Sequence, residues 1–562
     1  MATTNISGLL LSELQTLSTE ARRKHPEIKE AAEQVIVILR GIKATQSAEI
    51  CLELAKHDEV VSPFVQGCKS NNYKLAATSV QCLQQLISHQ AVSVRSIGGL
   101  LGTLNAVIQM GVDIQVKILQ MVLPLVTMYD GCVYGETLVE ALHVCLTLQR
   151  SKDPIVSNTA AAILRQVVIA VFDRVVSEDR EHEDRVDAFF VLQDLCLLAA
   201  GSDSIFIRVM DPVDQNLVMD LIESVLTNHA VVVARHTAML QVLRERLAPF
   251  LVNFFAERAQ FTLVVRSIRI AWLFIRDLHA DLAPECELLL SILTRLIDPG
   301  TKLAGNTAVA GSNGDRSHRG GFPLFYRVLA MEVVRNTLQD PALLCRLYMQ
   351  FDGRSATGED KNEDSHVIAD VLAAVARVAS ELPELRVNNA DGIPNVVPNE
   401  GNAVDGGNAA DTRGTGQLGA HNSSLRTEMH QLLDKHDPPG VPKTYLSFLG
   451  LTTVLSAVGG LAGHVIQLCT ETAVCQAPYG KAVAGSESEP VFSPHHATRA
   501  AHDARVVTAK GLVSRSWPVL LSVYTFYVAV RLDDRLFARA MDTARMAVQM
   551  SGAVGLLEAR NA

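Results

Sequence analysis

Residues Lys152 to Arg174 read Lys-Asp-Pro-Ile-Val-Ser-Asn-Thr-Ala-Ala-Ala-Ile-Leu-Arg-Gln-Val-Val-Ile-Ala-Val-Phe-Asp-Arg, and the fold turns on this stretch. Asp153 followed by Pro154 is an N-cap with a first-turn proline, the start signal of a helix. At 100° per residue, Val156, Ala160, Ile163, Val167 and Val171 share one face, which must be core. Asn158, Ala162, Arg165, Gln166 and Asp173 share the opposite face, with Ile169 among them. That second stripe is mixed, and small Ala162 at its centre lets another backbone approach. It is the candidate protein-contact surface. The competing reading is plain solvent exposure, or a structural hydrogen bond to a neighbouring helix.

The same rhythm recurs on both sides of this helix. Ala76, Val80, Leu83 and Ile87 fall at i, i+4, i+7 and i+11. Pro26 marks a helix start, and Ile28, Ala32, Val35, Leu39 and Ile42 continue a stripe behind it. Asp340-Pro341 repeats the cap-plus-proline signal. Short breakers fall at Ser70 to Asn72, Gly111 to Asp113, Tyr129 to Gly135 and Ser151 to Pro154. Helix pairs follow one another every 35–45 residues or so, about the period of armadillo and HEAT units. Strand signals are essentially absent. The expected fold is therefore all-α, an armadillo/HEAT-like helical solenoid.

Four polar stretches interrupt the rhythm: Pro299 to Gly321, Gly353 to Ser365, Val387 to Ser424 and Ala477 to His502. Rich in Gly, Asn, Ser or charge, they bury too little apolar area to offset the entropy of ordering, and disordered insertions are expected there. The expected organisation is a helical domain over 1–180, a second over 181–386 with an insertion at 299–321, a disordered linker over 387–424, and further helical repeats over 425–562 with an insertion at 477–502.

Composition sets limits on function. The 562 residues carry a net charge of −10. Nucleic-acid binding needs clustered cations to displace phosphate counterions. The densest basic triplet, Arg22-Arg23-Lys24, is soon followed by acidic residues, so no nucleic-acid partner is expected. The ten cysteines are scattered without a CxxC or a zinc-like Cys/His spacing, which points to reduced, mostly buried thiols. Met1 to Gly8 lacks a basic n-region ahead of an apolar stretch, and a cytoplasmic location is expected. From Thr444 to Thr470 there is no Asp, Glu, Lys or Arg, a length that can cross a bilayer. Its Gly450, Gly459, Gly460, Gly463 and His464 favour instead a buried helix pair, and no transmembrane span is expected.

Motifs that carry chemistry are weak. Gly414, Gly416 and Gly419 spell GxGxxG, but no apolar strand precedes them to bring a phosphate to a helix N-terminus. His182 sits in a charged run from Glu178 to Arg185 that reads as a solvated terminus. His495 and His496 lie in the polar stretch. With no P-loop, HExxH or GxSxG, no catalytic residue, metal site or cofactor is expected, and the chain reads as a non-enzyme.

The opening stretch also carries a family resemblance. Lys152 to Ala162, running on to Arg165-Gln166-Val167-Val168 and Phe172-Asp173-Arg174, resembles the signature of a dimerisation and cyclophilin-binding (DCB) domain. That domain opens the large Golgi Arf guanine-nucleotide exchange factors and the related Mon-two (monensin-sensitivity) family. Glu178-Asp179 with His182 is similar to the acidic end of this helix in the Mon-two family. Leu432-Leu433-Asp434-Lys435, then Pro438-Pro439, Val441-Pro442 and Tyr445, resembles its segment beyond the homology-upstream (HUS) region. Ser516-Trp517 with Leu520-Leu521, and Gly555 to Ala562, resemble a later helix pair. The helices Leu14 to Leu39 and Pro63 to Ser88 fit as well.

Two departures accompany these matches. Gln350-Phe351-Asp352-Gly353 stands where the exchange factors carry an Asn-Tyr-Asp-Cys-like box. Nothing here matches the Phe-Arg-Leu-Pro-Gly-Glu loop whose glutamate expels nucleotide. The family also continues well beyond the length of this chain, so a shortened protein or a portion of one is expected.

The resemblance implies a non-catalytic scaffold in Golgi and endosome vesicle traffic, including endosome-to-Golgi transport. It implies a cytoplasmic protein peripheral on trans-Golgi network and endosome membranes. The implied partners are a second copy of the chain, a Dopey-family protein and Arf-like small GTPases. Two alternatives stay open. One is the regulatory N-terminal half of an Arf exchange factor. The other is a generic armadillo-type transport adaptor, disfavoured because Trp272 and Trp517 are too few for a Trp/Asn ladder.

Overall fold

The computed structural model describes residues 6–21, 24–43, 46–129, 131–176, 183–209, 211–256, 259–298, 322–353, 366–381, 418–476 and 494–561. Among these, every regular element is helical, apart from one isolated bridge between Leu418 and Leu532. The all-α helical solenoid expected from the sequence is what forms. The chain divides into two compact units, Met1–Phe250 and Leu251–Ala562.

The first unit runs through α1 (Ile6–Ala21), α2 (Pro26–Gly41), α3 (Ser47–Leu54), α4 (Ser62–Lys69), α5 (Tyr73–Ser88), α6 (Ile97–Ala106), α7 (Val112–Met128), α8 (Glu136–Gln149), α9 (Pro154–Val176), α10 (Glu183–Ala199), α11 (Gln215–Arg235) and α12 (Thr237–Val242). Pro26 takes the first turn of α2, where its missing N–H costs nothing. Asn72 caps α5 by accepting from the Lys74 amide. Gly111 (φ 143°) and Gly135 (φ 54°) turn the chain into α7 and α8 in the left-handed region that favours glycine. Ala76, Val80, Leu83 and Ile87 are all buried, as their spacing predicts. Packing alternates along the chain. α5, α7, α9 and α11 stack in one layer, and α2, α4, α6 and α8 stack in the other. Each helix therefore buries its stripe against the neighbours before and after it, which is how a solenoid propagates a core.

α13 (Ala248–Phe254) crosses the division. The second unit then holds α14 (Phe261–Asp277), α15 (Ala283–Ile297), α16 (Leu324–Gln339), α17 (Pro341–Phe351), α18 (Val367–Ala379), α19 (Ala420–Ser423), α20 (Tyr445–Gln476), α21 (Pro494–Val528), α22 (Asp534–Ala553) and α23 (Leu557–Asn561). α14, α16, α20 and α22 form one layer, while α15, α18 and α21 pack in the other.

Three expectations are corrected here. The uncharged stretch after Lys443 is one continuous helix, α20, and not a helix pair. Gly450 within it serves close packing rather than chain breaking. A Cβ on Gly450 would sit 2.9 Å from the Ala379 backbone nitrogen and Cα, so only glycine lets α18 approach there. The linker placed at 387–424 ends early, because Leu418 is fully buried, its N–H donates to the Arg531 carbonyl, and α19 follows. The insertion placed at 477–502 is also shorter, since α21 is already helical from Pro494. The remainder of those two stretches, the insertion at 299–321 and the one within 353–365 past Gly353 lie outside the described residues, as do Gly414, Gly416 and His182.

α9, α11 and Tyr445–Glu471 of α20 are each long and apolar enough to cross a membrane by length and composition. They differ in cover. The most apolar window is 67% buried in α20 and 61% in α11, but only 39% in α9.

Candidate partner-binding surface

α9 is anchored at its start by Asp153, whose carboxylate accepts from the Ile155 amide at 2.9 Å and the Val156 amide at 3.4 Å. The Ser157 hydroxyl donates to the Gln149 carbonyl at 2.5 Å, fixing α9 to the end of α8. Val156, Ala160, Leu164, Val167, Val168, Val171 and Phe172 are buried. Ile163, expected in the core, is only half-buried, and Leu164 takes the deeper position. The reason is rotation: α7, α8 and α11 together cover the side centred on Leu164 and Val168.

The predicted contact stripe divides into two kinds of residue. Asn158, Ala162 and Gln166, four apart, are exposed, and Ile169 is half-buried. The two charged members are engaged within the fold. Arg165 donates through Nε to Asp220 Oδ2 of α11 at 2.8 Å, and its Nη2 contacts the same oxygen. Asp173 Oδ1 pairs with His229 Nε2 at 2.8 Å. His229 is buried, lies 5.8 Å from the Phe172 ring centroid, and marks the point where α11 leaves helical geometry (φ −128°, ψ 23°). Arg165 and Asp173 thus hold α11 against one flank of α9, and the free part of the stripe is Asn158, Ala162 and Gln166. The helix-wheel reading missed its apolar continuation. Ile155 is 66% exposed and Val176 is 59% exposed. With Ala162 and Ile169 they recur every seven residues, a line that the sequence could have revealed.

A second cluster holds the second unit together. Glu332 of α16 is fully enclosed. Its carboxylate accepts from the Met429 amide (3.0 Å), the His430 amide (2.9 Å) and the Tyr445 hydroxyl (2.9 Å), and pairs with His430 Nδ1 (3.0 Å). Glu428 beside it is bound by Arg335 at 2.5 Å. Burial and the Glu332 carboxylate push the Tyr445 phenol far up, so it stays neutral and donating. Donor atoms of Glu332, Glu428 and His430 lie within 4.8 Å of one another and are the described residues that could share a cation. In this arrangement two amides and a phenol donate hydrogen bonds to Glu332, and Arg335 supplies positive charge to Glu428. Nothing in the sequence marked Glu332, whose partners are 97 to 113 residues away.

The Gln350 to Gly353 segment has a structural task. Asp352 is buried, and its two carboxylate oxygens accept from the Ile368 and Ala369 amides at 3.1 and 3.0 Å, capping α18. Burial raises its pKa. Gln350 Nε2 donates to the His279 carbonyl at 2.5 Å. Among the described residues the cysteines are free thiols, and burial pushes Cys68, Cys82, Cys145 and Cys196 up to about 12, which leaves them poor nucleophiles.

Comparison with known proteins finds two matched families that meet near residue 180, so the second match runs across the division after Phe250. The Mon2/Sec7/BIG1-like dimerisation and cyclophilin-binding domain family matches residues 2–179, and the Mon2/Sec7/BIG1-like HUS domain family matches residues 185–358. Protein MON2 homolog of Xenopus laevis is 25% identical over 614 residues, covering 98% of this chain and 34% of that protein. Protein MON2 homolog of Homo sapiens gives 25% over 621 residues, with 98% and 34% covered. Protein MON2 of Saccharomyces cerevisiae gives 24% over 508 residues, with 85% and 28% covered. The chain spans about a third of the length of these curated relatives. With DCB and HUS domains in that order over more than half of its length, and MON2 similarity over nearly all of it, the chain belongs to the Mon2 family and corresponds to its N-terminal portion.

Proposed function

We propose that this chain is a non-catalytic scaffold in vesicle-mediated transport between endosomes and the Golgi, binding its partners through the outer stripe of α9. The observation that carries this reading is α9 itself. It is the least covered of the three long apolar helices among the described residues, and Ile155, Asn158, Ala162 and Gln166 are exposed on it. Partner binding by a solenoid is built from such ridges, with small residues admitting a second helix and flanking polar groups setting register. The DCB family's name supports self-association as one use of this face. The family resemblance adds a Dopey-family protein and Arf-like GTPases as partners. It also supports peripheral attachment to trans-Golgi network and endosome membranes through such contacts.

The test is affinity isolation of the tagged chain from cells, together with its membrane localisation and a nucleotide-exchange assay on Arf proteins. The expected result is a partner set with Golgi or endosome localisation and no stimulation of exchange. Stimulated exchange would overturn the non-catalytic reading. A second reading is favoured by the Sec7 and BIG1 names shared by both matched families: the regulatory half of an exchange factor. A longer transcript encoding the glutamate-bearing loop decides for it.

A further inference from the structure

A cavity of about 650 Å3 opens in the second unit, where α17 faces α20, α21 and the turn between α14 and α15. Among the described residues its charged lining is two arginines. Arg346 comes from α17 and Arg505 from α21, beside the imidazoles of His464 on α20 and His279 in the turn, and among the described residues no Asp or Glu lines it. Leu468 and Met349 add apolar wall. Elsewhere the fold pairs its arginines with carboxylates, as Arg165 with Asp220, Arg327 with Glu381, Arg335 with Glu428 and Arg377 with Asp298. Arg346 and Arg505 have neither a hydrogen bond nor an ion pair among the described residues. Two guanidinium groups around one cavity, left without an acid among the described residues of a chain of net charge −10, ask for an anion.

The chemistry narrows that anion. A guanidinium presents a planar fork of donors that matches two oxygens of a phosphate. A cavity of this volume lies in the range of small-molecule sites, far larger than a bare phosphate ion needs. The apolar wall at Leu468 and Met349 suits an organic body attached to the charged head. Gln350 ties α17 to the turn through the His279 carbonyl at one side of the cavity. Cys345, also in the lining, is pushed up to about 11 by burial and contributes no competing thiolate.

We propose that this cavity binds a phosphate monoester, with Arg346 and Arg505 gripping the phosphate oxygens and the ester's organic part lying on Leu468 and Met349. The ester can be a soluble metabolite or the headgroup of a lipid, and one experiment separates the two. Binding of glycerol 3-phosphate is measured by calorimetry, and binding to phosphatidylcholine vesicles with and without phosphatidate by flotation. The full chain is compared with Arg346→Gln, Arg505→Gln and the exposed control Arg545→Gln. The first two side chains are exposed, so their removal leaves the core intact, which a thermal melt checks. The expected result is binding in at least one arm, weakened about tenfold or more by each cavity substitution and unchanged by the control. The arm that responds names the source. Absence of binding in both arms at millimolar phosphate overturns the proposal, and so does binding that Arg346→Gln and Arg505→Gln retain.

Discussion

Glu332 is fully enclosed, and four donors from two later segments converge on its carboxylate. Removing the carboxylate strands two amides and a phenol in a dry core, so Glu332→Ala is expected to cost about 3–5 kcal/mol. A chemical-denaturation curve of the full chain should show the loss in the transition of the second unit, with Glu332→Gln falling between variant and parent. An unshifted transition for Glu332→Ala would contradict the role assigned to this carboxylate. Asp352 makes a pH-dependent contribution of opposite sense to a normal ion pair. Burial raises its folded pKa above the ordinary 3.8, so the folded state holds its proton more tightly than the unfolded chain. The group therefore adds stability as pH falls from the raised value towards 3.8, and opposes folding above that window. Asp352→Asn, which keeps one acceptor for α18, is expected to flatten the stability profile across that interval. A profile with the same slope as the parent would remove Asp352 as its source.

At the scale of elements, α9 carries two sets of residues that its helix wheel could not separate, those paired with α11 and those proposed to meet a partner. The cap at Asp153-Pro154, the buried stripe apart from Ile163 and the small Ala162 were legible, because they rest on local chemistry and on period 3.6. The roles of Arg165 and Asp173 were not, because Asp220 and His229 are 55 and 56 residues away and only the fold brings them close. Charge reversal at Arg165 is therefore a poor probe of partner binding, since it sets two acids against each other between α9 and α11. Arg165→Ala is expected to lower stability by about 1 kcal/mol, the range of a half-exposed ion pair, whereas Ala162→Trp on the open stripe is expected to leave the melt unchanged. Equal melts for both variants would show that the Asp220 contact carries no weight. In α20 the glycines were read from sequence as a break between two helices. The structure uses Gly450 to bring α18 within backbone contact, and Gly450→Ala is expected to cost about 2–3 kcal/mol by forcing the pair apart. Thermal unfolding at parental temperature would show that the two helices separate freely.

Taken whole, the chain is two helical units whose layers each propagate a core from one helix to the next. Period and breakers were enough to read that architecture, and the order of loose matches from Lys152 to Ala562 was enough to read the family. Helix boundaries near Leu418 and Pro494 were hidden because polar composition masked a single buried leucine and a helix start. In the function proposed above, such a solenoid acts by what it holds. On the proposed function, the decisive quantity is the set of proteins retained through α9. Quantitative affinity isolation from cells, comparing the parent with a doubly substituted Ala162→Trp, Gln166→Glu chain of matched melting temperature, measures it directly. The account predicts that the variant loses self-association or a named partner several-fold while remaining folded. An unchanged partner set in the folded variant would contradict it.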